Sequence, residues 1–143
     1  MSHLNYCSTV WDGCSKDYFK KLNSIHRRAV KHIYQNPYQT TDEKLKYLKI
    51  LPLVKQFEFN KAKLIHKIYY GKAPPYLNLV IKRASNRYGS SKLITPLPRI
   101  DLFKSSTSFS GSVTWNSLPA DLRDTSSPTA FRNKLHGLLT KTN

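Results

Sequence analysis

The chain has 143 residues, 39% apolar and 12% aromatic, with 24 Lys+Arg against 8 Asp+Glu for a formal net charge of +16. That length suits one domain able to bury a core without a structural metal or disulfide, and the apolar content excludes wholesale disorder. No run approaches the roughly 18 apolar residues of a membrane span, and the opening MSHLNY lacks a signal peptide's charged start and apolar run, so an intracellular protein of the nucleus or cytoplasm, with both cysteines as thiols, is expected.

A cationic excess of this size makes nucleic acid the default partner, with an anionic membrane surface second. The charge is uneven. Residues 1–100 hold 19 Lys+Arg and 5 Asp+Glu, whereas residues 101–143 hold 5 and 3, so the interface is expected in the first hundred residues.

In chain order, Tyr6, Val10 and Trp11 precede the turn Asp12-Gly13 and are expected to dock on the following helix. That helix, Lys16 to Tyr34, has Ser15 as its N-cap, Asp17 in the first turn, Lys31 and His32 in the last, and Asn36-Pro37 as its stop. At 100° per residue, Tyr18, Leu22, Ile25, Ala29 and Ile33 share a narrow arc, widened by Phe19 and Val30, that is expected to face the core. Lys20, Arg27 and Lys31 project opposite and Lys21 and Arg28 flank them, with no carboxylate after Asp17.

Thr40 and Glu43 have capping-box spacing and open a short helix that buries Leu45 and Leu48. Pro52 begins a third helix, in which Leu53, Val54, Phe57, Leu64, Ile65 and Ile68 form one apolar arc and which ends at Gly71. Lys55, Lys63 and Lys67 lie outside that arc as a second basic stripe, and Lys61 falls close to its apolar side. Phe59 and Tyr70 stand apart from the arc and are expected to face solvent in a small monomer.

Pro74-Pro75 starts a short helical piece, and Ala84 to Lys92 reads as a linker or long loop. Leu93 to Phe103 contains two prolines and reads as an extended segment rather than a sheet strand. One more helix runs from Ser108 to Leu118 around Phe109, Val113 and Trp115, weakened by Gly111. A last helix follows Ser127-Pro128 and buries Ala130, Phe131, Leu135, Leu138 and Leu139. The expected fold is all-α, four to six helices in a small irregular bundle with an extended linker at 84–107. Residues 1–83 form a basic helical body and 108–140 a C-terminal helical pair, packed as one unit.

The anchors occur in a specific order: Tyr6-Cys7-Ser8-x-Val10-Trp11, Ile50-Leu51-Pro52-Leu53, Gly71-x-x-Pro74-x-Tyr76-Leu77 and Trp115-Asn116-Ser117-Leu118-Pro119. This joint order, across essentially the whole chain, resembles the segment that follows the polymerase domain in reverse transcriptases of non-LTR retrotransposons of the jockey and CR1-like group. The resemblance implies an accessory role in holding nucleic acid beside an RNA-directed DNA polymerase. It does not imply catalysis, because the family's Tyr-x-Asp-Asp motif and its endonuclease are absent from this sequence. The carboxylates Asp12, Asp17, Asp42, Glu43, Glu58, Asp101, Asp121 and Asp124 include no pair spaced like the aspartates that hold two metal ions.

Cys7, Cys14, His26 and His32 resemble a zinc finger only in composition. A finger places two to four residues between its cysteines, and histidines six apart on a helix point about 120° away from each other. No hydrolase triad spacing and no glycine-rich phosphate loop is present, although Arg87 to Lys92 offers either a phosphate clamp or a solvated loop. Tyr34, Tyr38, Tyr69, Tyr70 and Tyr88 are stacking candidates for unpaired bases, with packing as the other reading.

The expected function is therefore noncatalytic binding of RNA or DNA backbone through Lys20, Lys21, Arg27, Arg28, Lys31, Lys55, Lys63 and Lys67, with no catalytic residue, metal, cofactor, membrane or small-molecule substrate. The competing expectation is a packing module whose partner is the polymerase domain of a parent protein.

Overall fold

The computed structural model describes residues 8–11, 13–85 and 91–141. Their order is α1 (Ser8–Trp11), α2 (Lys16–Ile33), α3 (Thr41–Tyr47), α4 (Leu53–Tyr69), a 3-10 segment (Pro75–Val80), β1 (Lys82–Arg83), β2 (Leu93–Ile94), α5 (Asp101–Lys104), α6 (Thr107–Ser117), α7 (Ala120–Arg123) and α8 (Pro128–Lys141). The architecture is all-α, and each of the five helices of seven residues or more among the described residues lies where the sequence reading places a helix. Tyr6 and Cys7, Asp12 and the loop positions Arg87 to Ser90 lie outside the described residues, as do the side chains of Val10 and Trp11.

Local chemistry sets several helix ends as expected. Thr40 accepts from the Glu43 amide while the Glu43 carboxylate accepts from the Thr40 amide at 2.8 Å, closing the capping box of α3. Gly71 follows α4 with φ +67°, a left-handed conformation that costs glycine little. Ser15 occupies the N-cap position of α2, yet its hydroxyl makes no capping hydrogen bond. Ser106 rather than Ser108 starts α6, accepting from the Phe109 amide.

The core is built on α4, with α6 and α8 packed along it. Phe57, Ile65, Trp115, Phe131 and Leu135 are essentially inaccessible to solvent. Gly111 lets α6 approach closely, since a Cβ there would stand 2.7 Å from Ile65 Cδ1. The residue that weakens α6 as an isolated helix is thus what allows it to pack.

Trp115 and Asn116 draw the preceding strand, β2, into this body. Trp115 Nε1 donates to the Ser91 carbonyl at 2.7 Å, and Asn116 donates to the Leu93 carbonyl at 2.8 Å while accepting from the Leu93 amide at 2.9 Å. The sequence reading of 93–103 as wholly extended surface is corrected here. Lys82 and Arg83 pair antiparallel with Ile94 and Leu93, and Asp101–Lys104 form a helical turn. Two-residue strands carry no alternation to detect, and the remaining backbone groups of Leu93 are paired by a side chain distant in sequence, Asn116.

Three further expectations are overturned. Phe59 is buried against His136, with ring centroids 6.0 Å apart, and Tyr70 donates its hydroxyl to the Arg123 carbonyl at 2.7 Å, because α8 and α7 cover the second face of α4. Val54 and Val113 are exposed. Of the segment before α2, the described helix α1 makes its main contacts with α4 rather than α2, and Asn60 of α4 donates to the Ser8 hydroxyl at 2.9 Å.

The largest correction concerns α2. Val30 is 0% exposed and His26 1%, while Tyr18, Ile25 and Ile33 are 65%, 56% and 63% exposed and Ala29 also faces out. The helix is rotated toward its Phe19 edge, which meets Phe57 edge-on at 5.9 Å. Apolar residues span so wide an arc that periodicity alone cannot choose its centre. A histidine at the middle of the buried side shifted the expected centre away from it.

Candidate nucleic-acid interface

The rotation of α2 determines where its cations stand. Lys20, Lys21, Arg28 and Lys31 are exposed, Lys20 within 3.9 Å of Asp17 and Lys21 with its ammonium 5.5 Å from the Tyr18 ring centre. Arg27 is half-buried and donates to Asp42 at 3.0 Å, which commits it to the contact between α2 and α3. Arg28 and Lys31 have no carboxylate partner among the described residues.

The second stripe is divided by the fold. Lys55 lines a groove with Glu58, Val113, Thr114 and Leu135. Lys63 and Lys67 instead line a cleft of about 320 Å³ between α4 and the first turns of α8, with His66, Pro128, Thr129, Phe131, Arg132 and Asn133. No residue of α2 lines this cleft, so the structure separates the eight sequence-predicted cations into an α2 face, the cleft and the isolated Lys55.

Arg132 is the residue that sequence reasoning missed. It follows Phe131 on α8, a helix read only for its apolar side, in a region whose net charge is small. Its apposition to Lys63 and Lys67 is a product of packing, because Phe131 stacks on His66 with centroids 4.2 Å apart and so seats α8 against α4. The only signal in the sequence was the run Arg132-Asn133-Lys134.

The electrostatics record that crowding. Burial pushes the Lys63 ammonium below the usual lysine range, and the positive charges of Arg132 and Lys67 lower it further. Lys63 also lies 5.1 Å over the Phe59 ring. At the cleft wall, His66 Nε2 is 2.8 Å from the Thr125 carbonyl. A carbonyl can only accept, so Nε2 carries the proton in that bond. Burial lowers the His66 pKa, the hydrogen bond to Thr125 opposes this, and the charge of Lys72 adds to the lowering.

Among the stacking candidates, Tyr34 packs against Tyr47 at 4.9 Å and Tyr69 stacks on Trp115 at 5.2 Å, whereas Tyr38 is almost fully exposed. Tyr88, Arg87, Gly89 and Ser90 lie outside the described residues, and Ser91 and Lys92 from that loop do not join the cleft. Cys14 is a free thiol, His26 is buried and His32 exposed, and among the described residues no group of three or more His, Cys, Asp or Glu side chains is placed to hold a metal ion. No described helix is long and apolar enough to cross a membrane.

Comparison of the chain with protein-family models, curated proteins and solved structures finds no match.

Proposed function

We propose that this chain is a noncatalytic nucleic-acid-binding segment, of the kind that follows the polymerase in non-LTR retrotransposon reverse transcriptases, and that it works in the nucleus or cytoplasm. The observation that carries the reading is the exposed face of α2, where Lys20, Lys21, Arg28 and Lys31 stand within twelve residues, the one carboxylate of the helix, Asp17, lies in its first turn, and Asp42 of α3 is engaged by Arg27. A solvated surface that serves only solubility interleaves both signs; this face does not. Long flexible cations in water favour phosphate oxygens, which fix position without reading sequence, so RNA and DNA backbones are both within its chemistry.

The test is titration of a labelled oligonucleotide at several salt concentrations. Engagement of six phosphates gives a slope of log K against log salt of roughly −4 to −5.5, according to strand state. Binding that does not weaken with salt refutes the reading.

One observation favours a second reading, a packing module for the polymerase domain of a parent protein. Tyr18, Ile25, Ala29 and Ile33 form an exposed apolar stripe beside the cations of α2. On that reading, Ile25→Ser with Ile33→Ser abolishes association with the polymerase domain and leaves oligonucleotide affinity unchanged.

A further inference from the structure

The cleft between α4 and α8 concentrates positive charge in a way that the folding of the chain does not require. Lys63 and Lys67 lie one helical turn apart on α4, and Arg132 faces them from α8. No carboxylate lines the cleft, and none of the three forms an ion pair among the described residues. Arg132 and Lys67 are exposed at its rim, so both reach a ligand without rearrangement, while Lys63 is half-buried beside Phe59.

Among the described residues no carboxylate pairs with this charge. The first turn of α8 contains no acidic residue, and Lys72 and Lys134, nearby along the chain, are already tied to the Ser126 carbonyl and the Thr125 hydroxyl at 3.0 and 3.2 Å. Arg132 sits near the positive end of the α8 dipole, where a cation is disfavoured. Three like charges converging on one concavity raise the energy of the empty protein, and an entering anion relieves that repulsion. The volume, about 320 Å³, admits a phosphate together with its attached sugar.

We infer that this cleft is a phosphate-binding subsite that holds one phosphate group of a nucleic-acid strand between Lys63 and Lys67 of α4 and Arg132 of α8. The inference rests on the nucleic-acid reading above and extends it, because it makes Arg132 part of the interface and gives the C-terminal helix a role in binding. The guanidinium can grip two phosphate oxygens at once, while the two ammonium groups act as point charges. The same chemistry accepts a terminal phosphomonoester or an internal phosphodiester.

The test is fluorescence anisotropy on single-stranded RNA labelled at its 3′ end, with and without a 5′-phosphate, for the wild type, Arg132→Gln, Lys67→Gln and the α2 control Lys20→Gln. Thermal melts establish that each variant is folded. Arg132→Gln and Lys67→Gln are expected to weaken binding about tenfold each, Lys20→Gln less, and each cleft variant to reduce the magnitude of the salt slope by about 0.7. A 5′-phosphate preference that Arg132→Gln removes assigns the cleft to strand ends, and equal affinities assign it to internal phosphates. Wild-type affinity in both cleft variants overturns the subsite, and the nucleic-acid reading survives if Lys20→Gln still weakens binding. Absence of salt-dependent binding by the wild type overturns both.

Discussion

Replacing His26 by leucine is expected to stabilise the protein. His26 is 1% exposed on the inward side of α2, and neither of its ring nitrogens has a hydrogen-bond partner. A buried polar group left unpaired costs about 1–3 kcal/mol, and leucine keeps comparable bulk without it, so His26→Leu should gain roughly that amount near pH 8. Burial first and the charge of Arg27 second hold the imidazole below its usual pKa, so below about pH 6.5 the unfolded chain binds a proton that the native state refuses.

Wild-type stability must therefore fall as pH drops through 6.5, by up to about 1.4 kcal/mol per pH unit for each such histidine. His66, also lowered by burial, contributes with the same sign. His26→Leu removes one of the two contributions, so its advantage widens in acid. Urea denaturation of both proteins near pH 8, 6.5 and 5 measures this. A variant less stable than the wild type near pH 8, with the wild-type pH dependence intact, would show that the ring has polar partners and that α2 does not bury this face.

Other outcomes follow from the same packing. Ile25→Ser and Ile33→Ser, on the exposed stripe, should each change stability by no more than about 0.5 kcal/mol, whereas Phe57→Ala should cost about 3–5 kcal/mol in the same denaturant assay. Asn116→Ala removes both hydrogen bonds to the Leu93 backbone and should cost about 2–4 kcal/mol. Gly111→Ala should destabilise despite a helix-propensity gain of about 1 kcal/mol, because its Cβ meets Ile65; adding Ile65→Val, which deletes the obstructing Cδ1, should recover part of the loss in a double-mutant cycle.

Features written in adjacent residues were legible in the sequence. The capping box of Thr40 and Glu43, the stop at Gly71 and the start at Pro128 each depend on local backbone chemistry, and each lies where expected. Features decided by distant partners were not. The inward edge of α2 depends on Phe57, the burial of Phe59 on α8, and the pairing of Leu93 on Asn116, none of them close in sequence. The candidate interface divides in the same way. The α2 cations are neighbours along one helix and could be read directly, whereas Arg132 joins Lys63 and Lys67 only after α8 packs, and net charge by segment directed attention away from it.

The central claim is that α2 grips phosphates, and the most direct measurement compares the salt dependence of RNA binding by the wild type and by the fourfold variant Lys20→Gln, Lys21→Gln, Arg28→Gln, Lys31→Gln. Loss of four phosphate contacts should reduce the magnitude of the slope by about 3, with affinity falling at every salt concentration. Equal slopes and equal affinities for the two proteins would contradict the account.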